Sequence, residues 1–411
     1  MAGSTQTSPE TPVDAETLRR YADLIVGFGS NVQAGQIVEV RAALDKRELV
    51  RAIAESAYRR DARFVDANWF DPWVRRARIL HGDPATIGFV PEWQSRRVLQ
   101  LGELRCARIA LTPTNPQAAV EGLDHELVAR EPFPFLPEYF RLIDDNTTNW
   151  SGAACPTPDW AQLVYPDLEP DEALGRLWDQ VLHICRLDEE DPVAAWRDRF
   201  AALERAAGRL NELRLDALHY EGPGTDLVVG LLPTSIWDGG TSTTVGGIEF
   251  AANLPSEEVY TAPDPVRTDG IVRSTKPLVL KGGALVRGLT IRFEGGRAIA
   301  IEAETGAESL RSLCATDEGA ARLGEVALVD RLGRIGALDT VFFTTLFDEN
   351  AASHLALGSA YLETVGDEDR HRVNRSAIHV DFMIGSDDVD VTGLARDGTR
   401  IPVLRRGEWQ F

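Results

Sequence analysis

The sequence predicts an α/β protein of two domains, an N-terminal α/β domain with a mostly parallel sheet and a C-terminal mixed α+β domain. Three observations carry this expectation. The chain has 411 residues, 44% of them apolar, which is ample for two sizeable cores. Helix and strand patterns alternate through the first third, as they do when parallel strands are joined by helices. Near residue 214 the composition changes to strands punctuated by glycine turns, so the boundary is placed there. This divides the chain into a disordered tail over 1–13, an N-terminal domain over 14–213 and a C-terminal domain over 214–411.

Residues 1–13 are Ser, Thr, Pro and Gln with almost no apolar content, too little to offset the entropy of ordering them. From Ala15 the run ending at Gly29 reads as an amphipathic helix, Gln36–Arg41 as a strand and Lys46–Arg60 as a second helix. Arg63–Trp69 and residues 104–112 supply further strands. Prolines and aromatics thicken between about 130 and 175, which predicts connecting loops packed on a helix. Most of Trp69, Trp73, Trp93, Trp150 and Trp160 are expected in the core. Asp171–Cys185 and Asp191–Leu213 read as helices. Beyond Asp216, GPG and GGTSTTVGG are read as hairpin turns, because neither has the GxxxxGK[ST] order of a phosphate loop. Residues 285–303 read as a hairpin about Glu294-Gly295-Gly296-Arg297, and Ala307–Cys314 as a helix.

A formal net charge of −21 argues against nucleic acid or an anionic membrane surface as partner, since both would repel it. No apolar run approaches the ~20 residues that span a bilayer. Four scattered cysteines without CxxC spacing, and no signal-peptide pattern at the start, lead us to expect a cytoplasmic protein. Ser151 lies in WSG rather than a GxSxG elbow, so a serine-hydrolase reading lacks support.

Chemistry concentrates in Thr344–Tyr361, TTLFDENAASHLALGSAY. Asp348, Glu349 and Asn350 precede good helix formers, which predicts a helix starting there. If that helix continues, His354 and Tyr361 are seven residues apart and share a face. Glu349 to His354 is five residues, so this is not HExxH. A second stretch, Ile378–Gly385 (IHVDFMIG), reads as a strand with Ile378, Val380 and Phe382 on one side and His379 and Asp381 on the other. Such a pair is either two metal ligands or a carboxylate orienting a histidine. Three of the seven histidines, His354, His371 and His379, fall in the last 60 residues, and that clustering favours chemistry there.

The chain resembles the aminopeptidase T group of bacterial metallopeptidases. The matching stretches are NLPSEEVYTAP at 253–263, STKPL at 274–278, DEGAARLGEVALV at 317–329, TLFDENAASHLALGSAY at 345–361 and HVDFMIGS at 379–386. The resemblance implies a homodimeric exopeptidase that releases N-terminal residues from peptides with a free N-terminus, using two divalent metal ions (zinc, cobalt or manganese). Carried over position by position, it implies Glu258, Glu325, His354, His379 and Asp381 as metal ligands, with Glu325 as the bridge, and Glu349 and Tyr361 as catalytic residues. Glu258 is preferred to Glu257, and Glu349 is read as base rather than ligand. Phe343 and Thr344 depart from the group's usual tyrosine and asparagine, and the 330–340 loop lacks its usual serine-proline turn. Two other readings stay open, a metal-dependent hydrolase of non-peptide amides and a catalytically silent relative that binds metal or peptide.

Overall fold

The computed structural model describes residues 12–113, 117–134, 136–280 and 283–411, so most of the expected N-terminal tail lies outside the described residues. The alternation of the first third becomes a five-stranded parallel sheet in the order 64–70, 37–43, 107–112, 150–154 and 253–254. Its first helix, Ala15–Leu24, starts where Asp14 accepts from the Thr17 amide at 2.7 Å. It buries Leu18, Tyr21, Ala22 and Leu24. The long helix Pro192–Leu213 has Asp191 as N-cap and proline at its first turn, and Arg214 ends it in the left-handed region at φ 45°.

The stretch expected as loops holds a central element. Trp150–Ala154 is a strand of the parallel sheet, flanked by the short helices Glu138–Asp144 and Pro158–Val164. Five residues, two of them small alanines and one a glycine, carry almost no strand signal of their own. Pairing with Ala107–Thr112 on one side and Asn253–Leu254 on the other decides their state. The tryptophans also depart from expectation. Trp69, Trp73 and Trp93 are 39%, 51% and 63% exposed, whereas Trp160 is buried and donates its indole N–H to the Phe342 carbonyl.

Apart from Asn253–Leu254, which edges the parallel sheet, the strands past residue 214 form antiparallel sheets. An eight-stranded sheet contains the strands Ala217–Gly222, Thr225–Leu231 and Pro263–Arg273, together with the hairpin Thr290–Glu294/Arg297–Glu302. Gly295 and Gly296 turn that hairpin at φ 53° and 79°. A second, four-stranded antiparallel sheet runs 258–261, 323–329, 354–358, 379–383. One continuous apolar cluster extends from Leu18 through Trp196 and Leu254 to Leu404, joining the helices of the first half to both sheets of the second.

Candidate metal centre

The four-stranded sheet has one apolar and one polar face. Val259, Val326, Leu328, Leu355, Leu357, Val380 and Phe382 are buried on the first. The other face follows from the register, which sets Tyr260 opposite Ala327, Ala327 opposite His354, Glu325 opposite Ala356, Ala356 opposite Asp381 and Gly358 opposite His379. Directly opposed residues share a face, as do residues two apart on one strand. Glu258, Glu325, His354, His379 and Asp381 therefore project to the same side. Ala327, Ala356 and Gly358 between them leave the space open.

Glu325 reaches that face by plain alternation, two residues before Ala327 on the same strand. The pairing slips by one residue between Leu323 and Glu325, where Gly324 is the extra residue. The slip at Gly324 sets Leu323 opposite Leu357 on the apolar face; in unbroken register Leu323 would share the face of Glu325. Only glycine fits there, since a Cβ on Gly324 would lie 2.3 Å from the Gly358 carbonyl oxygen and 2.5 Å from that of Ser359.

Two triads result, Glu258/Glu325/His354 and Glu325/His379/Asp381, each with ligand atoms within 4.8 Å of one another and with Glu325 in both. His354 Nε2 lies 3.0 Å from Glu258 Oε2 and 3.8 Å from Glu325 Oε1. His379 Nε2 lies 3.1 Å from both Glu325 Oε2 and Asp381 Oδ1. Behind each imidazole, Nδ1 faces a main-chain carbonyl, Ala352 at 3.2 Å for His354 and Ser359 at 2.8 Å for His379. An Nδ1–H donated there leaves Nε2 as the lone-pair donor, the tautomer a metal ligand needs. Glu258 Oε2 is buried and makes no hydrogen bond of proper geometry despite its contact with His354.

The site's electrostatics favour positive charge. Burial pushes the Glu325 carboxyl above its ordinary range, with Glu258 and Asp381 adding to the rise and His379 opposing it. Burial also raises Glu349 well above the usual carboxylate range, helped by Asp381 and Glu258. For His354 burial opposes protonation, yet Glu258, Glu325 and Asp381 outweigh it and push the pKa up to about 10. Four carboxylates crowded around two imidazoles favour a cation, and an oxygen and nitrogen donor set of this kind suits a divalent metal. The residues present fit the group the resemblance implies.

The Thr344–Tyr361 stretch differs from the expected helix. A single helical turn spans Thr345–Asp348, a 3-10 turn covers Glu349–Ala351, Ala352 is extended, and His354–Gly358 is a strand. Local helix propensity yields because ladders on both sides claim these residues and bury all five. Gly358, at φ 104°, ends the strand. His354 and Tyr361 thus share no helical face. Tyr361 arrives from the loop after the strand, its ring centroid 5.2 Å from that of His379 and 5.9 Å from that of Tyr260. Burial raises the Tyr361 pKa well above its ordinary value, so the phenol keeps its proton.

All seven expected site residues line one cavity of roughly 580 Å³, with Trp150, Tyr260, Asp238 and Glu363 on its other walls. Glu257 is turned away from it. Its fully buried carboxylate is held by Arg186 Nη2 at 2.8 Å and by Arg199. Sequence reasoning missed Asn350, which is fully buried and accepts from the Glu257 amide at 2.6 Å. Set beside Asp348 and Glu349 in DEN, it reads along the chain only as part of a polar helix start.

The model of the thermophilic metalloprotease family (M29) matches residues 14–409. Aminopeptidase T of Thermus aquaticus is 43% identical over 403 residues, covering 96% of this chain and 98% of that one. Aminopeptidase AmpS of Bacillus subtilis is 38% identical, covering 97% and 99%. The solved structure of wild-type AmpT from Thermus thermophilus superposes with a TM-score of 0.87 at 41% identity, over 96% of this chain and 99% of that one.

Proposed function

The chain belongs to the thermophilic metalloprotease (M29) family, whose curated relatives are aminopeptidases, and from that premise we propose a metal-dependent aminopeptidase that works through two divalent ions. The observation that supports the pair is the sharing of Glu325 between two three-ligand groups. Glu258 and His354 would hold one ion, His379 and Asp381 the other, and Glu325 would bridge them. Zinc, cobalt and manganese all suit these donors. When bound, such ions polarise the scissile carbonyl and lower the pKa of water.

The chain's own residues supply the remaining steps. Glu349, at the cavity wall with its pKa raised by burial and by Asp381, would take a proton from the attacking water and return it to the leaving amine. Tyr361, with its proton retained, donates to the oxygen on which negative charge develops. All seven residues fall after residue 214, and the cavity they line is walled from both parts of the chain, by Trp150 from the first and by Asp238, Tyr260 and Glu363 from the second.

The reading is tested with leucyl amides and short peptides. Chelation should abolish their hydrolysis and added divalent metal restore it. N-acetylated versions of the same peptides should resist cleavage. Full turnover in verified metal-free protein would overturn the metal dependence, and equal cleavage of blocked peptides would overturn the exopeptidase assignment.

A further inference from the structure

Glu258 and Glu349 are 91 residues apart, yet a single side chain connects the segments that carry them. Asn350, next to Glu349, is fully buried. Its Oδ1 accepts from the main-chain N–H of Glu257, the residue before Glu258, at 2.6 Å. Its Nδ2 donates to the Leu346 carbonyl at 3.0 Å, closing the turn on which Glu349 sits, and reaches Glu349 Oε1 at 3.4 Å. A buried amide is costly unless its donors and acceptors are met, and here every contact goes to a segment bearing a site carboxylate. The far side of the Glu257 contact is rigid as well, because Arg186 and Arg199 clamp the Glu257 carboxylate and Arg199 also reaches Asp330 at 3.0 Å.

We propose that Asn350 is a positioning residue with two separable arms. Oδ1 sets where the Glu258 strand begins and so places a metal ligand. Nδ2 holds the Glu349 carboxylate toward the cavity and so places the base. The second arm rests on the reading of Glu349 as base; the first does not.

Two substitutions separate the arms. Asn350→Asp is nearly isosteric and keeps an acceptor for the Glu257 amide but loses the donor to Glu349. Asn350→Leu, of similar size, loses both. Metal per chain after dialysis, kcat and KM for a leucyl amide, and the thermal midpoint are measured for each, and Asn350→Asp is also combined with Glu349→Gln. Small displacements of a reacting group cost up to ~10²-fold, so Asn350→Asp should retain its metal and lose kcat by ~10–10²-fold. KM should stay within about twofold, as expected for loss of an interaction made in the transition state. Asn350→Leu should lose metal as well. In the Glu349→Gln background Asn350→Asp should cost little more, because the group it positions is already gone. Metal loss in Asn350→Asp equal to that in Asn350→Leu, or a kcat loss that persists undiminished beside Glu349→Gln, would overturn the proposal. If Glu349→Gln alone turns over normally, the base reading fails. Metal retention by Asn350→Leu would then overturn the first arm by itself. Should Asn350→Leu not fold, Asn350→Asp and its double variant still decide the matter.

Discussion

Asp348 is the acid of the 344–361 stretch that serves the chain rather than the metal face. Its two oxygens accept from the Phe342 amide at 2.8 Å and the Thr344 amide at 3.0 Å, holding Phe343 at φ 53° between them. Burial pushes its carboxyl up to about 7, with the amide bonds to Phe342 and Thr344 opposing the rise. A folded-state pKa above the unfolded value means that the folded state binds more protons between the two. Stability therefore falls as pH climbs through that window, by a few kcal/mol at most. Asp348→Asn removes the titration while keeping one acceptor. Urea unfolding of metal-free protein should show wild type losing ground to the variant from about pH 4 to about pH 7. A difference that stays flat across that range would show that Asp348 does not titrate there.

At the scale of an element, the strand Leu323–Val329 carries its ligand beside a defect in its pairing. The extra residue at Gly324 inverts the alternation there, so that Leu323 packs on the apolar side while Glu325 shares the face of Ala327 and the histidines. Replacing Gly324 by alanine drives a methyl group into the Gly358 and Ser359 carbonyls, which are main-chain atoms and cannot rotate aside. Overpacking of this kind costs ~1–3 kcal/mol. Gly324→Ala should lower the unfolding free energy by that order and weaken metal retention at the same time. Retained stability and full metal content would mean that the two strands have room to part without moving Glu325.

For the whole molecule, Glu257 is the junction. It ties Arg186 and Arg199, on the helical side of the chain, to the start of the Glu258 strand, and Arg199 continues to Asp330, which also accepts from the Trp409 indole at 2.9 Å. Replacing Glu257 by alanine leaves two largely buried guanidiniums without their shared carboxylate, a loss typically of ~3–5 kcal/mol. The exposed pair Arg96–Glu92, with both side chains more than three-quarters exposed, provides the contrast at ~0.5 kcal/mol or less. Chemical denaturation of Glu257→Ala beside Glu92→Ala should separate them by several-fold. Equal small losses would show that the junction does not join the two halves energetically.

Much of this protein is set by local chemistry and is legible along the chain. The helices read from Ala15, over Asp171–Cys185 and over Asp191–Leu213 form at Ala15–Leu24, Pro170–Ile184 and Pro192–Leu213. The alternating IHVDF places His379 and Asp381 on one face because strand side chains have a period of two wherever the strand lies. Long matching motifs indicated the metallopeptidase family and the residues now found around one cavity. Three things required the tertiary structure. His354–Gly358 became a strand because its partners on both sides exert more than the helix propensity of ASHLALG. Trp150–Ala154, with weak preference of its own, became a central strand for the same reason. The slip at Gly324 that turns Leu323 to the apolar face and the tie from Asn350 to Glu257 depend on register and on contacts between residues far apart in sequence, and neither periodicity nor propensity encodes such contacts.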